Sequence, residues 1–199
     1  QGIHTDFIHL PEGNSRINVK VKHGDETEIN GQGPVITEEA INELFAKLAT
    51  LTKEDILVLA GSIPNTLPED IYEKILARLE SKGIRVVVDA TKDLLLNVLK
   101  YHPFLIKPNN HELGEMFGTV CKTDEDIVHY AKKLQEKGAV NVLISMAGDG
   151  AILITEDGQN IKMGTPKGKV VNSVGAGDSM VAGFITGYIR GGNYEEALK

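Results

Sequence analysis

Asp178 follows a Gly175-Ala176-Gly177 turn and opens a segment in which Met180, Val181, Phe184, Ile185, Tyr188 and Ile189 recur at helical spacing. Glycine reaches backbone angles closed to other residues, and the first turn of a helix has no intrahelical acceptor for its N–H groups. A helix starting at these glycines therefore aims several N–H groups at one point, which is an anion site. A carboxylate beside bound negative charge is unfavourable unless it has work to do. The work that fits is taking a proton from a hydroxyl that attacks a phosphoryl group. Complementing the helix dipole is the plainer role open to Asp178.

Two other glycine-rich nucleotide motifs fit less well. A dinucleotide fingerprint needs glycine at position 180, where Met180 would oppose close packing of helix on strand. A P-loop needs four residues between its glycines and then Lys with Ser or Thr, whereas the stretch from Gly164 to Val170 supplies three and ends in Val.

The elements upstream must bring other polar groups to Asp178. Thr37 suits the cap of a helix over 38–50, with Ala40, Ile41, Leu44, Phe45 and Leu48 on one face. Apolar runs of strand length follow at 56–60, 85–88, 104–106 and 139–144, with helices expected at 68–81, 92–100 and 124–137 between them. Residues 152–155 and 160–163 read as a hairpin around Asp157-Gly158, and 169–172 as a strand leading into the glycine turn. Strands apolar on both faces that alternate with helices imply a parallel sheet covered by helices. Ligands bind such sheets beyond the carboxyl ends of the strands. The polar residues expected there are Ser62, Asp89, the run from Lys107 to Glu112, Ser145 and Asp178. Asp89 suits orienting a hydroxyl or a lysine, or capping the helix that follows.

The first 36 residues are different in kind. Ile17, Val19 and Val21 alternate with polar neighbours, His23-Gly24-Asp25 reads as a turn, and residues 26–30 return as a second strand. Two such strands cannot bury both faces alone, so they cover a cleft or meet a partner's matching edge.

Composition narrows the classes. A net charge of -7 argues against a nucleic-acid or anionic-membrane partner, and no apolar run approaches the roughly 20 residues that span a bilayer. Cys121 is the sole cysteine, which excludes an intrachain disulfide and suits a reducing, cytoplasmic setting. The opening residues do not read as a secretory leader.

Asn172-Ser173-Val174-Gly175-Ala176-Gly177-Asp178-Ser179 before a helix of small residues resembles the C-terminal signature of the ribokinase-like, or PfkB, carbohydrate kinases. The resemblance implies a three-layer α/β/α sandwich with a mostly parallel sheet and a small β lid. It divides the chain into 1–36, part of the lid, and 37–199, an incomplete α/β nucleotide-binding core. Gly175, Ala176 and Gly177 would stabilise the transferring phosphoryl group and Asp178 would be the general base. Lys107-Pro108-Asn109-Asn110-His111-Glu112 carries the family's Asn-x-x-Glu pattern. Asn109 and Glu112 would tune Mg²⁺ and phosphate binding through water, and Lys107 would approach the nucleotide phosphates. Ser145-Met146-Ala147-Gly148-Asp149-Gly150 resembles the family's nucleotide turn, with Ala147 where glycine is usual. Backbone contacts survive that alanine unless the position needs a positive φ. Asn172 stands where many relatives carry Asp, which argues against activation by a monovalent cation.

Arg16-Ile17-Asn18, the segment from Glu28 to Pro34 and Gly61-Ser62-Ile63-Pro64 resemble the branch of the family that phosphorylates ketohexose phosphates. Arg16 would grip the sugar phosphate, since a guanidinium matches phosphate oxygens bidentately, and Ser62 would bond a sugar hydroxyl or phosphate, or cap its turn. The implied activity is ATP- and Mg²⁺-dependent conversion of fructose 1-phosphate to fructose 1,6-bisphosphate, with tagatose 6-phosphate as the alternative substrate and a homodimer formed through the lid. The family's first strand bearing an Asp for the sugar, its Gly-Gly-Lys-Gly segment and its final helices have no counterpart in the chain. A nucleotide- or sugar-binding regulatory module is therefore the rival expectation.

Overall fold

The computed structural model describes residues 2–23 and 25–199, so the turn expected at Gly24 lies outside the described residues. Two sheets form. The smaller pairs β1 (Asn18–His23) with β2 (Asp25–Asn30) in antiparallel register, Val19 opposite Ile29 and Val21 opposite Thr27. These partners share one face, because side chains alternate along a strand. Val19, Val21 and Ile29 are all exposed, as is Ile17 just before β1.

The larger sheet contains β3 (Ile56–Ala60), β4 (Arg85–Asp89), β5 (Leu105–Ile106), β6 (Asn141–Ser145), β7 (Ala151–Ile154) and β8 (Asn160–Met163). They lie in chain order, β3 to β6 parallel and β7 and β8 antiparallel. The helices are α1 (Glu38–Ala49), α2 (Ile71–Leu79), α3 (Lys92–Val98), α4 (Asn110–Met116), α5 (Asp124–Glu136), α6 (Ala176–Gly191) and α7 (Tyr194–Leu198).

Alternate strand residues bury into two separate cores. Val86, Val88, Ile106, Val142, Ile144 and Ile152 pack toward α1 to α5, whereas Val87, Leu105, Leu143 and Leu153 pack against Val181, Phe184 and Ala197 of α6 and α7. This is the α/β/α sandwich, its central strands apolar on both faces because helices cover both. Each fully buried aliphatic side chain contributes roughly 1.5 to 3 kcal/mol.

Thr37 caps α1 by accepting the Ala40 N–H at 3.3 Å. Three elements depart from the patterning. Residues 169–172 are not a strand: Val170 and Val171 are 79% and 94% exposed, and a strand with no neighbour has no ladder to hold it. The second helix starts at Ile71 rather than 68, after a turn closed by Ile71 N–H to the Pro68 carbonyl at 3.1 Å. The ends of α2 and α3 tighten into 3₁₀ turns over Glu80–Lys82 and Leu99–Tyr101.

Candidate active site

The carboxyl ends of β3 to β6 form one rim. Ala60 lies opposite Asp89, Val88 opposite Ile106, and an isolated bridge sets Asn109 beside Ser145. Each apolar run stops at this rim and a polar residue follows, so the sheet gathers polar groups that are far apart in sequence.

Helix α6 begins at the same rim. Gly175 takes φ 79° at its N-cap and no side chain caps it. The Ala176 N–H is taken by the Ser173 carbonyl at 3.1 Å, and the Ser179 N–H by the Gly175 carbonyl at 2.9 Å. The amides of Gly177 and Asp178 are then the first-turn donors left for an anion. Asp178 itself is exposed. Beneath it a groove of about 370 Å³ runs between Val58 and Ala60 of β3 and Val181 and Ile185 of α6, lined also by Asp89.

Lys107 extends from the end of β5, buried, with its Nζ 3.2 Å from Asp89 Oδ1. A Cβ built on Gly177 would lie 3.1 Å from that Nζ, so the ammonium rests against the first turn of α6. Burial pushes the Asp89 carboxyl above its ordinary pKa, Lys107 draws it back, and the Asp178 charge adds to the rise. Asp89 is therefore the partner of a lysine and not a helix cap. The N-cap of α3 is Thr91, whose side chain makes no capping bond.

Asn109 and Glu112 spend part of their bonding on α4. Asn109 Oδ1 accepts the Glu112 N–H at 2.8 Å and Glu112 Oε2 accepts the Asn109 N–H at 2.8 Å, a capping box. Among the described residues no cluster of three or more His, Cys, Asp or Glu could hold a metal ion. The donor set, one remaining Glu112 oxygen near the end of β5, fits an Mg²⁺ held by phosphate oxygens and water with little direct help from the chain.

The expected sugar groups meet across a sequence separation of 46: Arg16 Nη2 donates to Ser62 Oγ at 3.0 Å. This contact ties the approach to the lid to the end of β3.

Ser145 to Gly150 forms a tight turn between β6 and β7. The Ser145 N–H donates to the Pro108 carbonyl at 3.2 Å and the Met146 N–H to the Gly150 carbonyl at 2.8 Å. Ala147, Gly148 and Asp149 are exposed on it while Met146 is buried. Ala147 has φ 48°, so the condition under which alanine would be tolerated without strain fails: the position is left-handed and a Cβ there is costly.

The Asp89–Lys107 pair was undervalued by the patterning, although its signal was present. Two charges each follow an apolar run on adjacent parallel strands, and matching register makes them neighbours.

The sequence signature of the pfkB family of carbohydrate kinases matches residues 1–199. The chain is 52% identical over 199 residues to 1-phosphofructokinase of Bacillus subtilis (strain 168), covering all of this chain and 65% of that protein. It is 36% identical over 196 residues to D-tagatose-1-phosphate kinase of Bacillus licheniformis, covering 98% of this chain and 64% of that protein. The chain thus spans just under two thirds of the length of these relatives. An Arabidopsis thaliana ribokinase structure superposes with a TM-score of 0.69 at 23% identity, over 88% of this chain and 56% of that one, and shares the fold.

Proposed function

The chain belongs to the pfkB family of carbohydrate kinases, and on that premise we propose that the protein transfers the γ-phosphoryl group of ATP to the C6 hydroxyl of a ketohexose 1-phosphate, fructose 1-phosphate first. The observation that carries this reading is the uncapped start of α6, with Asp178 in its first turn and the Lys107 ammonium against Gly177. Asp178 accepts the hydroxyl proton as the O6–P bond forms. The bond from phosphorus to the bridging oxygen breaks, and ADP leaves with the electron pair. The amides of Gly177 and Asp178 and the Lys107 ammonium stabilise the charge on the transferring oxygens. The turn from Ser145 to Gly150 receives the nucleotide, and Arg16 with Ser62 receives the sugar's 1-phosphate in place of their contact with each other. Glu112 and Asn109 would hold the water shell of an Mg²⁺ carried by the nucleotide, which would supply further charge neutralisation.

The two curated relatives act, by name, on fructose 1-phosphate or tagatose 1-phosphate. Those sugars differ only in the configuration at C4, so tagatose 1-phosphate joins tagatose 6-phosphate as a second substrate to weigh. The exposed apolar face of Ile17, Val19, Val21 and Ile29 favours a homodimer built on the lid, since a two-stranded flap cannot bury it. Among the described residues no helix is long and apolar enough to cross a membrane, and we place the enzyme in the cytoplasm.

Sugar-dependent ADP release by the full-length protein, measured with fructose 1-phosphate, tagatose 1-phosphate and fructose 6-phosphate, tests the reading. Turnover is expected with the two 1-phosphates. Nucleotide binding without turnover on any of the three would instead favour a regulatory module.

A further inference from the structure

Lys107 is set in a position that opposes its own charge. Its side chain is only 8% exposed, and its ammonium rests against the N-terminal turn of α6, the positive end of that helix's dipole. A buried cation beside another positive potential persists only with a counter-ion. Two carboxylates lie close to it. Asp89 Oδ1 is in contact at 3.2 Å, and Asp178, in the first turn of α6, lines the same groove as Asp89. Asp89 is fixed from two sides. Its backbone sits in the sheet opposite Ala60, and its carbonyl accepts the Gly61 N–H at 3.1 Å. It is thus a rigid anchor, whereas the four-carbon stem of a lysine is not.

We propose that Asp89 is a positioning residue for phosphoryl transfer, holding the Lys107 ammonium against the start of α6 so that its remaining N–H donors face the γ-phosphoryl group. Asp89 acts through Lys107 and touches neither sugar nor nucleotide. Before nucleotide arrives it is the resident anion of a positive site. When the phosphoryl group arrives, the ammonium stays where Asp89 keeps it and gains a second anionic partner. The proposal rests on the assignment of the α6 turn to the transferred phosphoryl group.

The test is a double-mutant cycle in the full-length protein with Asp89→Asn, Lys107→Met and the two combined, read first by binding. Calorimetry would compare adenylyl imidodiphosphate with ADP, since only the former carries a γ-phosphoryl group. Asp89→Asn is expected to weaken the imidodiphosphate about tenfold, as for loss of one well-aimed charge-assisted bond, while ADP affinity changes less than about twofold. Lys107→Met should do the same, and the double variant should be no worse than Lys107→Met alone. kcat should follow the same pattern with KM for the sugar phosphate unchanged. Independent, multiplying losses in the double variant would overturn the proposal, because Asp89 would then have a task of its own. Equal weakening of ADP would also overturn it, as a sign of general loosening. Should Asp89→Asn fail to fold, Asp89→Glu keeps the charge and displaces the ammonium by one methylene; an unchanged preference for the imidodiphosphate in that variant would sink the idea. If the wild type releases no ADP with any sugar, the kinase reading fails while the binding cycle still decides the role of Asp89.

Discussion

The two glycine turns of the candidate site are held by opposite means. The turn from Ser145 to Gly150 is fastened at both ends by the sheet, with Ser145 opposite Ala151 in the β6–β7 ladder, and is packed by the end of β8. A Cβ on Gly150 would lie 1.9 Å from the Met163 carbonyl oxygen. The turn before Asp178 is fastened at one end only. Residues 164–176 are all exposed, a Cβ on Gly175 would meet nothing within 4 Å, and the local bonds are Val174 N–H to Asn172 Oδ1 at 3.0 Å and Ala176 N–H to the Ser173 carbonyl. A link between the two regions runs from Thr165 Oγ1 to the Gly148 carbonyl at 2.9 Å. The turn from Ser145 to Gly150 is thus a product of the sheet, and the turn before Asp178 a product of the helix it opens. A packed turn and an open one are obtained from the same residue type.

Substitutions can break this contrast. Gly150→Ala meets both the backbone clash and a φ of 91°, and should destabilise the whole protein by about 3 kcal/mol or more. A melting curve unchanged from wild type would show that the turn yields. Asp178→Asn lies exposed in the helical turn that the free turn opens, and should leave the melting temperature alone while turnover falls roughly 10²-fold and nucleotide affinity holds; an equally active variant removes Asp178 from the mechanism. Gly175→Ala should cost stability only the left-handed backbone term, about 1 to 2 kcal/mol, because the space around it is empty. A loss as large as that of Gly150→Ala would mean that the second turn is packed after all. Ala147→Gly is the smallest and carries the opposite sign. Relief of a left-handed alanine outweighs the added freedom of the unfolded chain, so a gain of about 0.5 kcal/mol is expected by denaturant titration.

Much of the architecture could be read in advance because hydrophobic period and strand-end polarity are local properties. The runs at 56–60 and 139–144, the latter realised as a strand over Asn141–Ser145, the Thr37 cap and the helix opening at Gly175 all follow from neighbours in sequence. What escaped depends on partners far along the chain. Val170 and Val171 carry the apolar side chains of a strand, but strand formation needs a neighbouring edge, and no periodicity reports whether one is available. The sign of φ at Ala147 is set by how β6 and β7 must join. The partnership of Asp89 with Lys107 required knowing that β4 and β5 are adjacent. The Asn109–Glu112 pair was ambiguous in a different way, since one spacing serves both a capping box and a metal-tuning motif, and the capping box is made here without using up the Glu112 carboxylate.

The strand order of the larger sheet bears on how the protein assembles. Strands β3 to β8 lie side by side in the order in which they are synthesised. Each of these strands therefore finds its neighbour already made, with only a turn or one or two helices to close rather than a loop across the whole chain. Parallel sheets are slow to form when distant strands must find each other, because loop entropy is lost before contacts repay it. Here the strands from β3 to β8 can add one by one at a single edge, and the helix that carries Asp178 follows all six of them in the chain.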